Sequence, residues 1–192
     1  KQADVTEHKA VKQLINETYA RYKKIDILVN CAGGFTKGGL TVDIAADDWD
    51  HVLALNLKSV FLVSQAVIPL MAKQGGGRIV NISSDAGRSA ITLSASHYAA
   101  AKAGVLGFTR HLAREVGPQN IYVNAVAPGT TLTPRVERVR SADFKKMAAG
   151  LSPLGRLAQA EEQAEAILFL ASDRASYITG ATLDVSGGRI MF

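Results

Sequence analysis

Ser84, Tyr98 and Lys102 are residues whose types and spacing could move a proton. Tyr98 and Lys102 stand four positions apart, and on a helix such positions lie one above the other on the same face. An ammonium is thereby set beside a phenol. Ser84 follows the apolar run Arg78-Ile-Val-Asn-Ile-Ser83 and can approach both if that strand end and the helix start converge. A phenol titrates near pH ~10, so near neutrality it shuttles protons poorly. Lowering that pKa by roughly 3 units takes about 4 kcal/mol of differential stabilisation. A cation about 4 Å away at an effective dielectric of about 20 is worth that order. The arithmetic makes such a shift feasible.

The spacing alone does not choose the site, because Tyr19 and Lys23 repeat it. A tyrosine and a lysine one turn apart ordinarily pack and snorkel at a helix surface. The elements that carry each pair must decide. With 192 residues, 47% hydrophobic and 20% charged, the chain reads as one globular domain able to bury a sizeable core. No uninterrupted apolar run reaches the ~18 residues that span a bilayer, and Lys1-Gln-Ala-Asp does not open a signal peptide, so no membrane association is expected. The net charge of +5 is scattered among acids, densest at residues 20–24 and 135–140, and no reader motif accompanies it. Nucleic acid is therefore not an expected partner. A single cysteine excludes an internal disulfide and fits a reducing compartment, the cytoplasm. Cys31, at an apolar strand end, reads as a buried, inert thiol.

Along the chain, Ala3-Asp4-Val5 reads as the end of a strand, and Thr6 as the cap of a helix through about Tyr22 with Val11, Leu14, Ile15 and Thr18 on one face. Ile25 to Asn30 is a short apolar run, the pattern of a strand covered on both faces. It ends in Cys31-Ala-Gly-Gly34, small residues that permit close backbone approach. A flexible segment to Ala46 follows. Asp47 and Asp48 then open a long helix that Pro69 and Gly75-Gly-Gly77 should close. Arg78–Ser83 is a second buried strand, a helix from about Ser96 to Gly117 carries Tyr98 and Lys102, and Ile121–Val126 is a third strand before Pro128-Gly129. A short helix near 142–149, a helix over 161–170 and a strand over 181–185 complete the pattern. Buried strands alternating with helices indicate a parallel α/β sheet, whose ligands bind at the strands' carboxyl ends. Ser84 lies at such an end and brings Tyr98 and Lys102 with it. Tyr19 and Lys23 precede a strand and belong to the opposite rim.

The residues resemble the short-chain dehydrogenase/reductase family over essentially the whole chain. The matching pieces are Asp4-Val5, Asp26 to Gly33, Asn56 in N-L-K-S-V-F, G-R-I-V-N-I-S-S84 and Y98-A-A-A-K102-A-G. They continue in N124-A-V-A-P-G129, L168-F-L-A-S-D173, Y177-I-T-G180 and D184-V-S-G-G188. The resemblance implies a doubly wound, Rossmann-like α/β fold and an NAD- or NADP-dependent oxidoreductase interconverting a secondary alcohol and a ketone. Tyr98 would be the general acid/base, and Lys102 would lower its pKa and hold the nicotinamide ribose. Ser84 would hydrogen-bond the substrate oxygen, and Asn56 would bend its helix and anchor a water in a proton relay to Lys102. Asp4 and Val5 would contact adenine. Asn30, Ala32 and Gly33 would line the adenosine side, although Asn30 could equally brace the sheet. Pro128, Gly129, Thr131 and Thr133 would bind the carboxamide and pyrophosphate. Residues 130–160 would form the substrate lid, and the helices over 47–74 and 96–117 would pair copies into dimers or tetramers. His97 is expected to be exposed, and no metal is implied.

Two departures qualify these implications. Cys31 stands where the family has an asparagine bracing the central strands. The chain also has no Gly-rich strand–turn–helix: Gly75-Gly-Gly77 precedes a strand, and Gly38-Gly39 sits in a loop. The resemblance places the phosphate-binding glycines, with the residue choosing NAD or NADP, before Lys1, in a unit of about 50 residues. A fragment is expected, and a truncated product unable to bind cofactor is the alternative to an active enzyme. Within the enzyme class, 3-oxoacyl-carrier-protein reductases and sugar or polyol dehydrogenases both fit. Gln74-Gly-Gly-Gly77 and Pro118-Gln-Asn120, with only Lys73 nearby, lack the basic residues that would greet an acidic carrier protein.

Overall fold

The computed structural model describes residues 1–34, 38–90 and 94–191. The tip of the segment expected to be flexible (35–37) and residues 91–93, between Ser84 and Tyr98, lie outside the described residues. The main sheet has four parallel strands in the order β1 (Ile27–Asn30), β2 (Gly77–Ile82), β3 (Ile121–Pro128) and β6 (Thr182–Val185). β4 (Thr131–Leu132) and β5 (Ala158–Gln159) form a small parallel pair beside it. The helices are α1 (His8–Tyr22), α2 (Ala46–Leu53), α3 (Ser59–Lys73), α4 (Ser96–Val116), α5 (Pro134–Val139), α6 (Ala142–Gly150) and α7 (Ala160–Leu170).

Alternation along the strands divides the core in two. Ile79 and Val123 point to the face covered by α1, α3 and α4, where they meet Val11, Ile15, Val67, Met71 and Leu112. Val80 and Val126 point to the other face and meet Leu170 and Ala171 at the end of α7. Burying each such side chain contributes roughly 1.5–3 kcal/mol. β1 departs from its expected two-sided burial: Leu28 packs into the first core, but Ile27 and Val29 are 47% and 39% exposed. They share a face with Val80, and α7 packs over the other strands of that face instead.

Ala3-Asp4-Val5 is not a strand; Asp4 Oδ1 instead accepts from the Thr6 amide and hydroxyl and closes a turn. Extended backbone needs a neighbour to pair with, and no described strand lies beside it. Thr6 accordingly does not cap α1, whose N-cap is Glu7. Nor does Pro69 end its helix. The helix runs on to Lys73, because Val67 and Met71 on either side of the proline are fully buried and hold it in place. From Ala46 to Lys73 the helical stretch has the length and apolarity of a membrane span, with mean hydropathy 1.6 in one window. Here its apolar residues Val52, Val60, Leu62, Val63, Val67 and Met71 are buried in the protein.

Candidate active site

Close approach of two backbones builds the site. β2 delivers Ser83 and Ser84 at its carboxyl end, and Ser83 Oγ donates to the Lys102 carbonyl at 2.8 Å. The turn Asp85–Gly87 then lies against α4 so tightly that a Cβ on Gly87 would sit 2.6 Å from the Lys102 carbonyl carbon and 2.7 Å from the Ala103 nitrogen. Only a residue without a side chain fits there. The contact brings Ser84 to the first turns of α4, and Ser84 and Tyr98 share a hydrogen bond. The Lys102 Nζ lies 5.6 Å from the centre of the Tyr98 ring, buried, and donates to the Ile82 carbonyl at 2.8 Å.

Asn56 enters from the helix between α2 and α3. Its side-chain Nδ2 donates to the Val52 carbonyl at 2.9 Å, the acceptor that an α-helix would give to the Asn56 backbone N–H, and the chain widens into a π-turn over Ala54–Lys58. The same side chain accepts from the Gly34 amide and donates to the Gly34 carbonyl, each at 2.8 Å. A Cβ on Gly33 would lie 2.7 Å from Asn56 Oδ1 and 3.3 Å from Lys102 Nζ, so both polar groups converge on that glycine. Ser84, Tyr98, Lys102 and Asn56 are thus gathered at the carboxyl ends of β1 and β2. Tyr19 and Lys23 end α1 instead, with Lys23 the left-handed C-cap.

The electrostatics correct one expectation. Burial pushes the Tyr98 hydroxyl above its usual pKa, the hydrogen bond with Ser84 opposes this, and the Asp85 carboxylate reinforces it. Burial also lowers Lys102 to about 8. Burial leads at Tyr98, against the expected depression by Lys102, and the phenol holds its proton at neutral pH.

A cleft of about 220 Å³ opens beside Ser84 and Tyr98, walled by Gly129, Thr131, Arg140, Phe144 and Arg189 among others. Of the other candidates, Pro128 ends β3, and Thr133 caps α5 by accepting from the Val136 amide. Val5, Asn30 and Ala32 line a separate, mostly apolar groove at β1. Asn30 is buried and donates to Asn81 Oδ1 at 2.8 Å and Ser64 Oγ at 3.2 Å, which is the sheet-bracing alternative. Cys31 is exposed rather than buried, since β1 ends at Asn30 and leaves it beyond the ladder. His97 is 2% exposed, its Nδ1 accepting from the Tyr98 amide, contrary to expectation. Among the described residues no group of three or more His, Cys, Asp or Glu side chains could hold a metal. Asp85 and Arg189 were not among the candidates; an acid directly after Ser84 was the only hint.

A parallel sheet with helices on both faces makes this a doubly wound α/β protein, with a Ser–Tyr–Lys–Asn cluster at the sheet's carboxyl edge. A family model described as enoyl-(acyl carrier protein) reductase matches residues 1–189. The 3-oxoacyl-[acyl-carrier-protein] reductase of Thermotoga maritima is 43% identical over 188 residues, covering 98% of this chain and 75% of that protein. The (3R)-3-hydroxyacyl-CoA dehydrogenase of Canis lupus familiaris is 41% identical over 192 residues, covering 99% and 73%. A solved chain from Burkholderia xenovorans, titled as a short-chain dehydrogenase/reductase, superposes with a TM-score of 0.92 at 36% identity, over 98% of this chain and 73% of that one. The chain belongs to the short-chain dehydrogenase/reductase family, a family of oxidoreductases.

Proposed function

We propose that this protein interconverts a 3-oxoacyl and a 3-hydroxyacyl thioester with a nicotinamide cofactor, Tyr98 acting as general acid/base. The observation that carries the proposal is the convergence of the half-buried Tyr98, hydrogen-bonded with Ser84, and the buried Lys102 ammonium on one strand edge. The named relatives act on 3-oxoacyl and 3-hydroxyacyl substrates, which favours a thioester over a sugar or polyol.

The donor set suits the ribose end of the cofactor. An ammonium has three N–H donors, and among the described hydrogen bonds Lys102 directs one to Ile82, leaving donors for a sugar diol beside Tyr98. The bound nicotinamide supplies or accepts the hydride. Tyr98, protonated at neutral pH, donates its proton to the substrate oxygen in reduction, and Ser84 hydrogen-bonds the same oxygen as charge develops there. Asn56 fixes the Gly33-Gly34 backbone against Lys102 and holds the return path for the proton. Gly129 and Thr131 flank the cleft, Pro128 and Thr133 frame their loop, and Asp4, Val5 and Ala32 serve the adenosine end. NAD and NADP both fit these roles.

The chain works as one domain, with residues 130–160 as the substrate lid; Val136, Arg140 and Phe144 from this segment line the cleft. Copies pair through α3 and α4, where Phe61 is 42% exposed against Phe108. The cytoplasm suits a chain whose single cysteine is exposed.

The test is Tyr98→Phe in the full-length protein, assayed with acetoacetyl-CoA and with free polyols against NADH and NADPH. Turnover of the thioester should fall by roughly 10²–10⁴-fold while cofactor binding stays measurable by fluorescence. Undiminished turnover would remove Tyr98 from the mechanism, and faster turnover of the polyols would remove the substrate class.

A further inference from the structure

A buried ion pair stands behind Ser84. Arg189 Nη1 lies 3.2 Å from Asp85 Oδ2, with side chains 3% and 9% exposed. The other carboxylate oxygen, Asp85 Oδ1, accepts the Ser84 hydroxyl at 3.0 Å. Ser84 Oγ in turn accepts from the Ala86 amide at 3.1 Å and shares its hydrogen bond with Tyr98. Arg189 also donates weakly to Thr130 Oγ1 at 3.4 Å, in the loop after β3. The chain therefore runs from the segment following β6, through one carboxylate, to the serine hydroxyl that faces Tyr98.

Burying two charges is expensive, and an apolar pair of the same volume often serves stability as well or better. The arrangement needs another reason, and the geometry offers one. A hydroxyl has one proton and a free rotor. A bare buried carboxylate would hold that proton in a strong, charge-assisted bond. A carboxylate already engaged by a guanidinium is a weaker and better aimed acceptor, from which the hydroxyl can turn to a substrate oxygen.

We propose that Arg189 is a positioning residue which, through Asp85, aims the Ser84 hydroxyl and keeps its proton available to the substrate oxygen. The proposal rests on the oxidoreductase role of Ser84 and Tyr98 given above. Neither Asp85 nor Arg189 performs a chemical step. Their work is to set the hydrogen bond that Ser84 makes before substrate arrives, and the segment after β6 is thereby tied to the reaction centre.

Two measurements on the full-length protein test it. In the first, Arg189→Met and Arg189→Lys are made in the wild-type and in a Ser84→Ala background. Arg189→Met should lower kcat by roughly 10-fold or more with the cofactor KM little changed, and Arg189→Lys should recover part of it. In the Ser84→Ala background the same substitution should cost no more than about 2-fold, because coupled residues are not additive. Equal fold losses in both backgrounds would mean that Arg189 supports only the fold, and would overturn the proposal.

The second measurement does not depend on turnover, so it separates this proposal from the assignment of the activity. Tyr98, identified with a Tyr98→Phe control, is titrated by NMR with ring-labelled tyrosine. The charged and titratable groups around Asp85 are Arg189 after β6, Asp184 on β6 with its partner Arg88, Tyr98 on α4 and Arg140 from the lid side of the cleft. Removing the carboxylate in Asp85→Asn should lower the Tyr98 midpoint, and uncovering it in Arg189→Met should raise it. A Tyr98 midpoint that stays put in both variants would overturn the coupling even if the enzyme is active.

Discussion

Lys102 shows what the site costs at the scale of one residue. Its pKa falls from 10.5 to about 8 because burial disfavours the ammonium. That difference corresponds to about 3 kcal/mol of lost stability at neutral pH. The sign follows from proton uptake. Between pH 8 and 10.5 the unfolded lysine still binds a proton that the folded one has shed, so stability rises with pH across that window and the penalty is present in full below it. Lys102→Met should therefore unfold at higher urea than the wild type at pH 7, by up to about 2 kcal/mol once the lost bond to the Ile82 carbonyl is offset. The advantage should shrink by pH 10, and turnover should be abolished. A variant less stable than wild type at pH 7, with the gap unchanged at pH 10, would contradict the burial argument. Tyr98 tells a related story. Its spacing to Lys102 was plain in the sequence, but the direction of its pKa depends on how much water reaches it, which no spacing reports.

The decisive elements are the turn after β2 and the helix it touches. Gly87 has no room for a side chain because its neighbours are the backbone of Lys102 and Ala103, which cannot swing aside. Gly107, farther along α4, has nothing within 4 Å of where a Cβ would stand. The two glycines therefore respond in opposite ways. Gly87→Ala should destabilise the protein by about 1–3 kcal/mol and, by moving Ser84 away from Tyr98, lower kcat by more than roughly 10-fold. Gly107→Ala should stabilise by up to about 1 kcal/mol, the ordinary helix preference for alanine, with activity unchanged. Thermal unfolding and steady-state kinetics on the pair check both, and equal effects would show that the turn does not set the site. In the same way Asn56 acts through its element: its amide takes the Val52 carbonyl and opens the π-turn, which presents it to Gly34.

For the whole molecule, the core takes Leu62, Val63, Val67 and Met71 of α3 and Leu112, Ala113 and Val116 of α4, while Phe61 remains 42% exposed beside Phe108. If copies pair through this face, Phe61→Glu places a charge in the interface, and an unpaired buried charge there is strongly unfavourable. Sedimentation of the wild type should show a dimer or larger species, and the variant should shift towards monomer with its helical content kept. A wild type that sediments as a monomer would end the pairing proposal.

The sequence by itself determined the order and type of the elements that matter: apolar runs for β2 and β3, helical patterns for α1, α4 and α7, and a parallel sheet with its ligand edge. It also showed Ser84, Tyr98 and Lys102 as a candidate set, because residue type and spacing within an element are local properties, and the family resemblance added Asn56. What only the tertiary structure decided depends on neighbours distant in the chain. Ile27 and Val29 look like two-sided strand residues, yet α7 packs elsewhere on their face. Ala3-Asp4-Val5 has strand-like residues and no described strand to pair with. His97 is buried and Cys31 exposed, each against its local pattern. Arg189 reaches Asp85 across the fold, from 104 positions away by chain number. Burial and long-range pairing are set by what packs against a residue, and that information appears only when the chain is folded.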